Sequence, residues 1–206
     1  MDVFILGAKR TPIGSFQGSL SKLASPELGA QAISGALSES KLETNQIDEV
    51  LMGCVVSAGV RQAPARQAMR IANLPDQSGA TTINKVCGSG MKACMIAHDL
   101  IRAGSANATI AGGMESMTNA PYLMAKARSG LRMGHSEILD SMFTDGLEDA
   151  ETGGSMGSFA QGTADEFQLT REAMDEFAIG SVKKALGAMD NGNLKTEIVP
   201  MGDITE

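Results

Sequence analysis

The chain has 206 residues, 43% hydrophobic and 20% charged, a globular composition with room for one sizeable core or two small ones. A net charge of −7 argues against nucleic acid as the main partner. The apolar run Val3-Phe4-Ile5-Leu6 is too short for a signal peptide and no stretch is long enough to span a bilayer, so no membrane partner is expected.

Val3 to Ala8 is a continuous apolar run that reads as a buried strand leaving into the loop Lys9-Arg10-Thr11-Pro12. Ser25 before Pro26 reads as a helix N-cap with proline at the first helical position. Leu28, Ala32, Ile33 and Leu37 continue that helix at helical spacing. Within 47–57, the run Val50 to Val56 predicts a second buried strand, and a helix follows over 64–73. Ala80 to Val86 predicts a third strand that runs straight into Cys87-Gly88-Ser89-Gly90. Helical periodicity then holds over 91–103 until Gly104, and Ala106 to Gly113 predicts a fourth strand. Such alternation implies an α/β fold with a mostly parallel sheet covered by helices on both faces, occupying residues 1–113.

Residues 114–206 differ. The part over 114–155 is rich in Gly, Ser, Met and Asp and reads as an inserted region of loops and short helices. Two helices are expected beyond it, over 156–167 and 170–189, the second capped by Thr170 and stopped by Asn191-Gly192. A short β-type run, Glu197 to Val199, precedes Pro200. The 14 Met and 24 Gly suit a tightly packed α/β protein.

Cys54, Cys87 and Cys94 form neither a disulfide nor a metal-ligand spacing, so free thiols, a reducing compartment and a cytoplasmic location are expected, with no metal. Cys87 stands out because a strand ends and a helix begins around it. A helix N-terminus carries unpaired N–H groups and partial positive charge, which favours thiolate. In α/β sheets ligands bind at the carboxyl ends of strands, and strand–Cys–Gly–x–Gly–helix has the form of a nucleophile elbow. By position alone, however, a cysteine is more often a small buried hydrophobe. Cys54, inside a strand, and Cys94, seven residues after Cys87, are expected in the core. His98 lies about 16 Å of helix rise beyond Cys87, too far to be its base within one helix. His98 and His135 are taken as structural, and Lys126, Arg128 and Arg132 form a cationic cluster in the inserted region.

The stretch Asn84-Lys85-Val86-Cys87-Gly88-Ser89-Gly90-Met91-Lys92-Ala93 closely resembles the nucleophile segment of thiolases. Ala111-Gly112-Gly113-Met114-Glu115-Ser116-Met117 resembles the second signature of that family. Lys9 to Gly14, the approach from Asn73, and 158–200 with Arg171 to Ala178 and Glu197 to Pro200 are similar in the same order. The resemblance spans nearly the whole chain. It implies Cys87 as the acylated residue of an acetyl-CoA C-acetyltransferase of the short-chain type, with a coenzyme A thioester as substrate and no cofactor. The implied reaction condenses two acetyl-CoA to acetoacetyl-CoA, or runs in reverse.

By the same resemblance Leu147 packs on the pantetheine arm and Met156 lines the acyl pocket. Ser155 stands where many thiolases place a histidine beside coenzyme A, a departure that removes charge and stacking. The cationic cluster resembles a loop that helps dimers form tetramers near the mouth of the coenzyme A site, which implies a homo-oligomer. Thiolases have two similar halves, each βαβαβαββ. The chain resembles the N-terminal half and stops short of the later Asn-Glu-Ala-Phe, Gly-His-Pro and Cys-x-Gly motifs, which implies an incomplete enzyme and a complementing second-half chain. The broad apolar surface over 91–101 then implies a poorly soluble or self-associating free chain. A second reading is a non-catalytic module that binds acyl-CoA or a thiolase partner. A ketoacyl synthase lacks the Cys-Gly-Ser-Gly-Met pattern, and a cysteine hydrolase lacks a placed histidine.

Overall fold

Side chains of a strand alternate between the two faces of a sheet, and one strand here organises both sides of the core. In the computed structural model, which describes residues 2–204, this strand is β1 (Glu49–Gly53). Met1, Thr205 and Glu206, at the outer ends of the stretches 1–113 and 114–206, lie outside the described residues. β1 runs between β2 (Gly79–Ile83) and β3 (Thr109–Gly113), parallel to both, in the order β2-β1-β3. Val50 and Met52 face one side with Cys54 just beyond, packed among Ile33, Ala65, Ala68, Met69 and Met114. Leu51 faces the other, against Ala93 and Ala97. Helices α1 (Ser25–Ser40) and α2 (Pro64–Ile71) therefore cover the first face, and α3 (Ser89–Arg102) covers the second. Ile33, Leu51, Met52 and Met69 are at most 2% exposed, and each such burial contributes about 1.5–3 kcal/mol.

The register ends the three strands together. Gly53 stands opposite Ile83 on one side and Gly113 on the other, so their carboxyl ends form one edge. The loops that leave this edge carry the residues of interest.

Four expectations need correction. Val3 to Ala8 is not a strand: Phe4 and Ile5 are 76% and 88% exposed. A strand needs a neighbour to take its backbone hydrogen bonds, and among the described residues no strand lies beside this run. What remains is one parallel bridge at Arg10–Ile198, with Arg10 N–H donating to Glu197 O at 2.9 Å and Val199 N–H to Arg10 O at 2.8 Å. Thus the loop after the first apolar run, rather than the run itself, meets the last β-type run. Ser25 is not the cap of α1. Ala24 is the N-cap residue, Glu27 reaches back to accept its N–H at 2.7 Å, and the buried Ser25 turns its hydroxyl towards the Cys54 thiol. The β2 strand stops at Ile83, leaving 84–86 for a turn. Cys94 is exposed, because the inward stripe of α3 runs through Ala93 and Ala97 and leaves position 94 turned away.

Beyond β3, a two-residue antiparallel pair, β4 (Tyr122–Leu123) with β5 (Leu139–Asp140), pins the base of an exposed excursion. The buried Ser141 donates its hydroxyl to Pro121 O at 2.6 Å, closing that base. A wide turn over Phe143–Leu147 follows, then α4 (Met156–Glu166) and α5 (Arg171–Asp190). Ala164 is the one buried residue of α4, and α5 buries none. No helix among the described residues is long and apolar enough to cross a membrane.

Candidate active site

Cys87 sits between the end of β2 at Ile83 and the start of α3 at Ser89, on the carboxyl edge of the sheet, and is exposed. The chain turns there through Val86, which has φ +48°. A β-branched residue in the left-handed region is a true outlier, costing on the order of 1–3 kcal/mol unless its surroundings hold it. They do. The Asn84 side chain accepts the Val86 N–H at 3.0 Å. Ser89 Oγ accepts the Lys85 N–H at 2.8 Å and donates to Val86 O at 2.5 Å, while the Ser89 N–H reaches the same carbonyl at 3.0 Å. The Gly88 N–H closes onto Lys85 O at 3.1 Å. None of these bonds uses the Cys87 N–H.

Close approach of α3 to the sheet fixes where this turn sits. A Cβ added to Gly53 would fall 2.6 Å from Ser89 Cβ and 2.9 Å from the Gly90 nitrogen, distances no real contact tolerates. Gly53 therefore lets the first turn of α3 lie directly on the end of β1.

The second signature has a structural use that sequence reasoning missed. Glu115 accepts the Val55 and Val56 N–H groups at 2.8 and 3.2 Å, holding the loop that leaves β1. Ser116 and Asn119 reach back to Leu23 O at 3.0 and 2.9 Å, and Thr118 takes the Gln17 N–H at 2.9 Å. Cys54 lies beneath this network. Burial, with the nearby Glu115 carboxylate adding to it, pushes its thiol up to about 11, so it stays protonated and inert.

Leu147 ends the wide turn and is half-buried, whereas Ser155 and Met156 are exposed. An antiparallel bridge between Glu148 and Ser155 folds the intervening loop back on itself and brings the three residues together. Asp149 closes the loop by accepting the Thr152 hydroxyl at 2.7 Å and its N–H at 2.8 Å, which holds the carboxyl below its usual range. Ser155 is the N-cap of α4, its hydroxyl accepting the Ser158 N–H at 3.3 Å. α3 itself packs chiefly on β3, β1 and β2. His98 meets Asp99 at 3.1 Å on the exposed side of α3, and His135 lies in the exposed excursion with Lys126, Arg128 and Arg132. Among the described residues, no cluster of His, Cys, Asp and Glu could hold a metal ion.

A parallel α/β sheet whose carboxyl edge presents an exposed cysteine on a strained strand-to-helix turn places the chain among α/β proteins with an elbow-shaped turn at that edge. Comparison narrows the class. Residues 3–206 match the model described as thiolase, N-terminal domain. An acetyl-CoA acetyltransferase of Pseudomonas aeruginosa is 48% identical over 200 residues, covering 97% of this chain and 51% of that protein. One from Escherichia coli is 45% identical over 202 residues, covering 98% and 51%. The crystal structure of an Ascaris suum thiolase in complex with coenzyme A superposes with a TM-score of 0.95 at 37% identity, covering 99% of this chain and 53% of that one. The chain belongs to the thiolase family, and it spans about half the length of the curated relatives it matches.

Proposed function

We propose that this chain supplies the nucleophile of a thiolase-type acyltransfer that condenses two acetyl-CoA to acetoacetyl-CoA, or cleaves the product. The observation that carries the reading is the elbow itself: an exposed cysteine on a clamped turn at the N-terminus of α3. In the first step Cys87 Sγ, as thiolate, attacks the thioester carbonyl of acetyl-CoA. A tetrahedral oxyanion forms, the carbon–sulfur bond to coenzyme A breaks, and coenzyme A leaves as thiolate to take up the proton lost by Cys87. The Cys87 N–H, which the elbow does not consume, is a donor for that oxyanion. In the second step a second acetyl-CoA, deprotonated at its methyl carbon, attacks the acetyl carbonyl and displaces Cys87 Sγ.

Both proton transfers need a base. His98 pairs with Asp99 on the exposed side of α3 and His135 lies in the exposed excursion, so this reading takes the bases from a polypeptide carrying the later thiolase motifs. Residues 1–113 act as the nucleophile-bearing core and 114–206 as the substrate-side excursion. There Leu147 and Met156 offer apolar surface to the pantetheine and acyl groups. Ser155, already committed to capping α4, contributes only a neutral hydrogen-bonding group beside coenzyme A. Lys126, Arg128 and Arg132 are exposed and carry no ion pair among the described residues, which suits assembly into a homo-oligomer and attraction of the ligand's phosphates.

The test is intact mass after incubation with acetyl-CoA, with Cys87→Ser as control. One added acetyl group, lost in the variant, is the expected result. If the 206 residues alone form no adduct, the adduct is expected once a polypeptide carrying the remaining thiolase motifs is added. No adduct in either case would overturn the reading, and acyl-CoA binding without acylation would favour a binding module.

A further inference from the structure

Strain at the elbow is concentrated in one residue, which the Asn84 side chain holds at its N–H and the Ser89 side chain at its carbonyl. Val86 carries φ +48°. Its carbonyl accepts the Ser89 hydroxyl at 2.5 Å, and the Lys85 N–H, one residue earlier, donates to Ser89 Oγ at 2.8 Å. Ser89 is 4% exposed, so water cannot replace these bonds without opening the packing against Gly53. Cys87 follows Val86 directly. Any relaxation of Val86 towards the usual backbone regions therefore swings the thiol relative to the N-terminus of α3.

We propose that Ser89 is a positioning residue for acyl transfer: its hydroxyl bridges Lys85 and Val86, keeps Val86 left-handed, and thereby sets the placement of Cys87. The inference rests on Cys87 being the acylated residue. Alanine at 89 preserves the Cβ that meets β1 but releases both hydrogen bonds, leaving the strain of Val86 unopposed on that side. A glycine at 86 has no such strain to hold. The hydroxyl then has little left to do.

The experiment measures single-turnover acetylation of Cys87 by acetyl-CoA in the 206-residue chain with a polypeptide carrying the remaining thiolase motifs present, for wild type, Ser89→Ala, Val86→Gly and the double variant. Ser89→Ala is expected to slow acetylation about ten- to a hundred-fold at saturating acetyl-CoA, with half-saturation changed less than about two-fold. In the Val86→Gly background the same change is expected to cost less than about three-fold, a coupling that loss of fold stability alone would not produce. Wild-type rates in Ser89→Ala, or an equal loss in both backgrounds, would overturn the proposal. Should Ser89→Ala fail to fold, the Val86→Gly pair carries the test, and a ten-fold deficit in the double variant overturns it. A wild type that forms no acetyl-Cys87 overturns the functional reading and this inference with it, whereas an acetylating wild type with uncoupled variants overturns the inference alone.

Discussion

The stretch from Ser25 to Met114 and the stretch from Met156 to Asp190 are both rich in helix, yet they are held in different ways. In the first, β1, α1, α2 and α3 each bury residues against one another, and Ile33, Val50, Met52 and Met69 are essentially inaccessible. In the second, α4 buries Ala164 and α5 buries nothing, leaving Phe177 81% exposed with Ile179, Val182 and Leu186 more than half exposed. α5 is nonetheless regular over 20 residues. Local signals account for it: Thr170 Oγ1 accepts the Ala173 N–H at 3.2 Å, and Arg171 pairs with Asp175 at 2.9 Å one turn on. Helical form and helical stability are thus separate matters here, the first local and the second dependent on burial.

The largest effect that could break this contrast is thiol accessibility. Cys54 lies in the packed stretch and is 2% exposed, while Cys87 and Cys94 are exposed. With a neutral alkylating reagent, Cys87 and Cys94 are expected to react in the folded chain, and Cys54 about a thousand-fold more slowly, at the rate the core opens. Peptide mass spectrometry over a time course reads the ratio. Comparable rates at all three would mean the packed stretch is no more cohesive than the rest.

Point substitutions come next. Met52→Ala removes a fully buried side chain from β1 and is expected to cost about 2–5 kcal/mol in denaturant unfolding. Phe177→Ala removes a larger side chain from α5 and is expected to stay within about 0.5 kcal/mol in the same 206-residue chain. A cost at Phe177 as large as that at Met52 would show a covering surface on α5, for instance from self-association.

The same contrast explains what could be read from the sequence. β1, β3 and α1 to α3 are legible because an apolar run or a helical stripe has Gly or Pro at one end and the buried partners lie within the chain. Val3 to Ala8 carries an equally strong apolar run but has no neighbouring strand, and composition cannot supply one. Cys87 is legible because strand, Cys-Gly-x-Gly and helix follow one another directly. The left-handed Val86 is not, since a β-branched residue disfavours that conformation and only the clamp by Asn84 and Ser89 imposes it. Ser89 is read from sequence only as a small residue two positions after Cys87, and only the fold shows its hydroxyl bonded to Lys85 and Val86. Glu115 is similar: a carboxylate after Gly-Gly-Met looks like part of a signature, and only the fold shows it taking two N–H groups from the loop after β1.

A pH effect of intermediate size belongs to the packed stretch alone. The Cys54 thiol, ordinarily near 9, is raised to about 11 by burial and by Glu115. The folded state therefore holds that proton where the unfolded state releases it. The resulting stability is fully present below pH 9 and is lost progressively as pH rises towards 11. The unfolding midpoint is expected to fall more steeply over that window in the wild type than in Cys54→Ala. Parallel profiles would show that Cys54 titrates freely.

The smallest effect probes the other side of the contrast. Thr170→Ala removes the side-chain acceptor for the Ala173 N–H and is expected to cost about 1 kcal/mol of helix stability. Because α5 buries no residue, that cost should appear where the helix stands alone, as lower helicity by circular dichroism in a peptide of residues 168–192. The global unfolding midpoint of the 206-residue chain should hardly move, since frayed turns of α5 expose little that was not exposed already. A midpoint lowered by the cap's full amount would mean that α5 unfolds together with the sheet. The cohesion of the chain would then extend through contacts along α5 that do not bury its side chains.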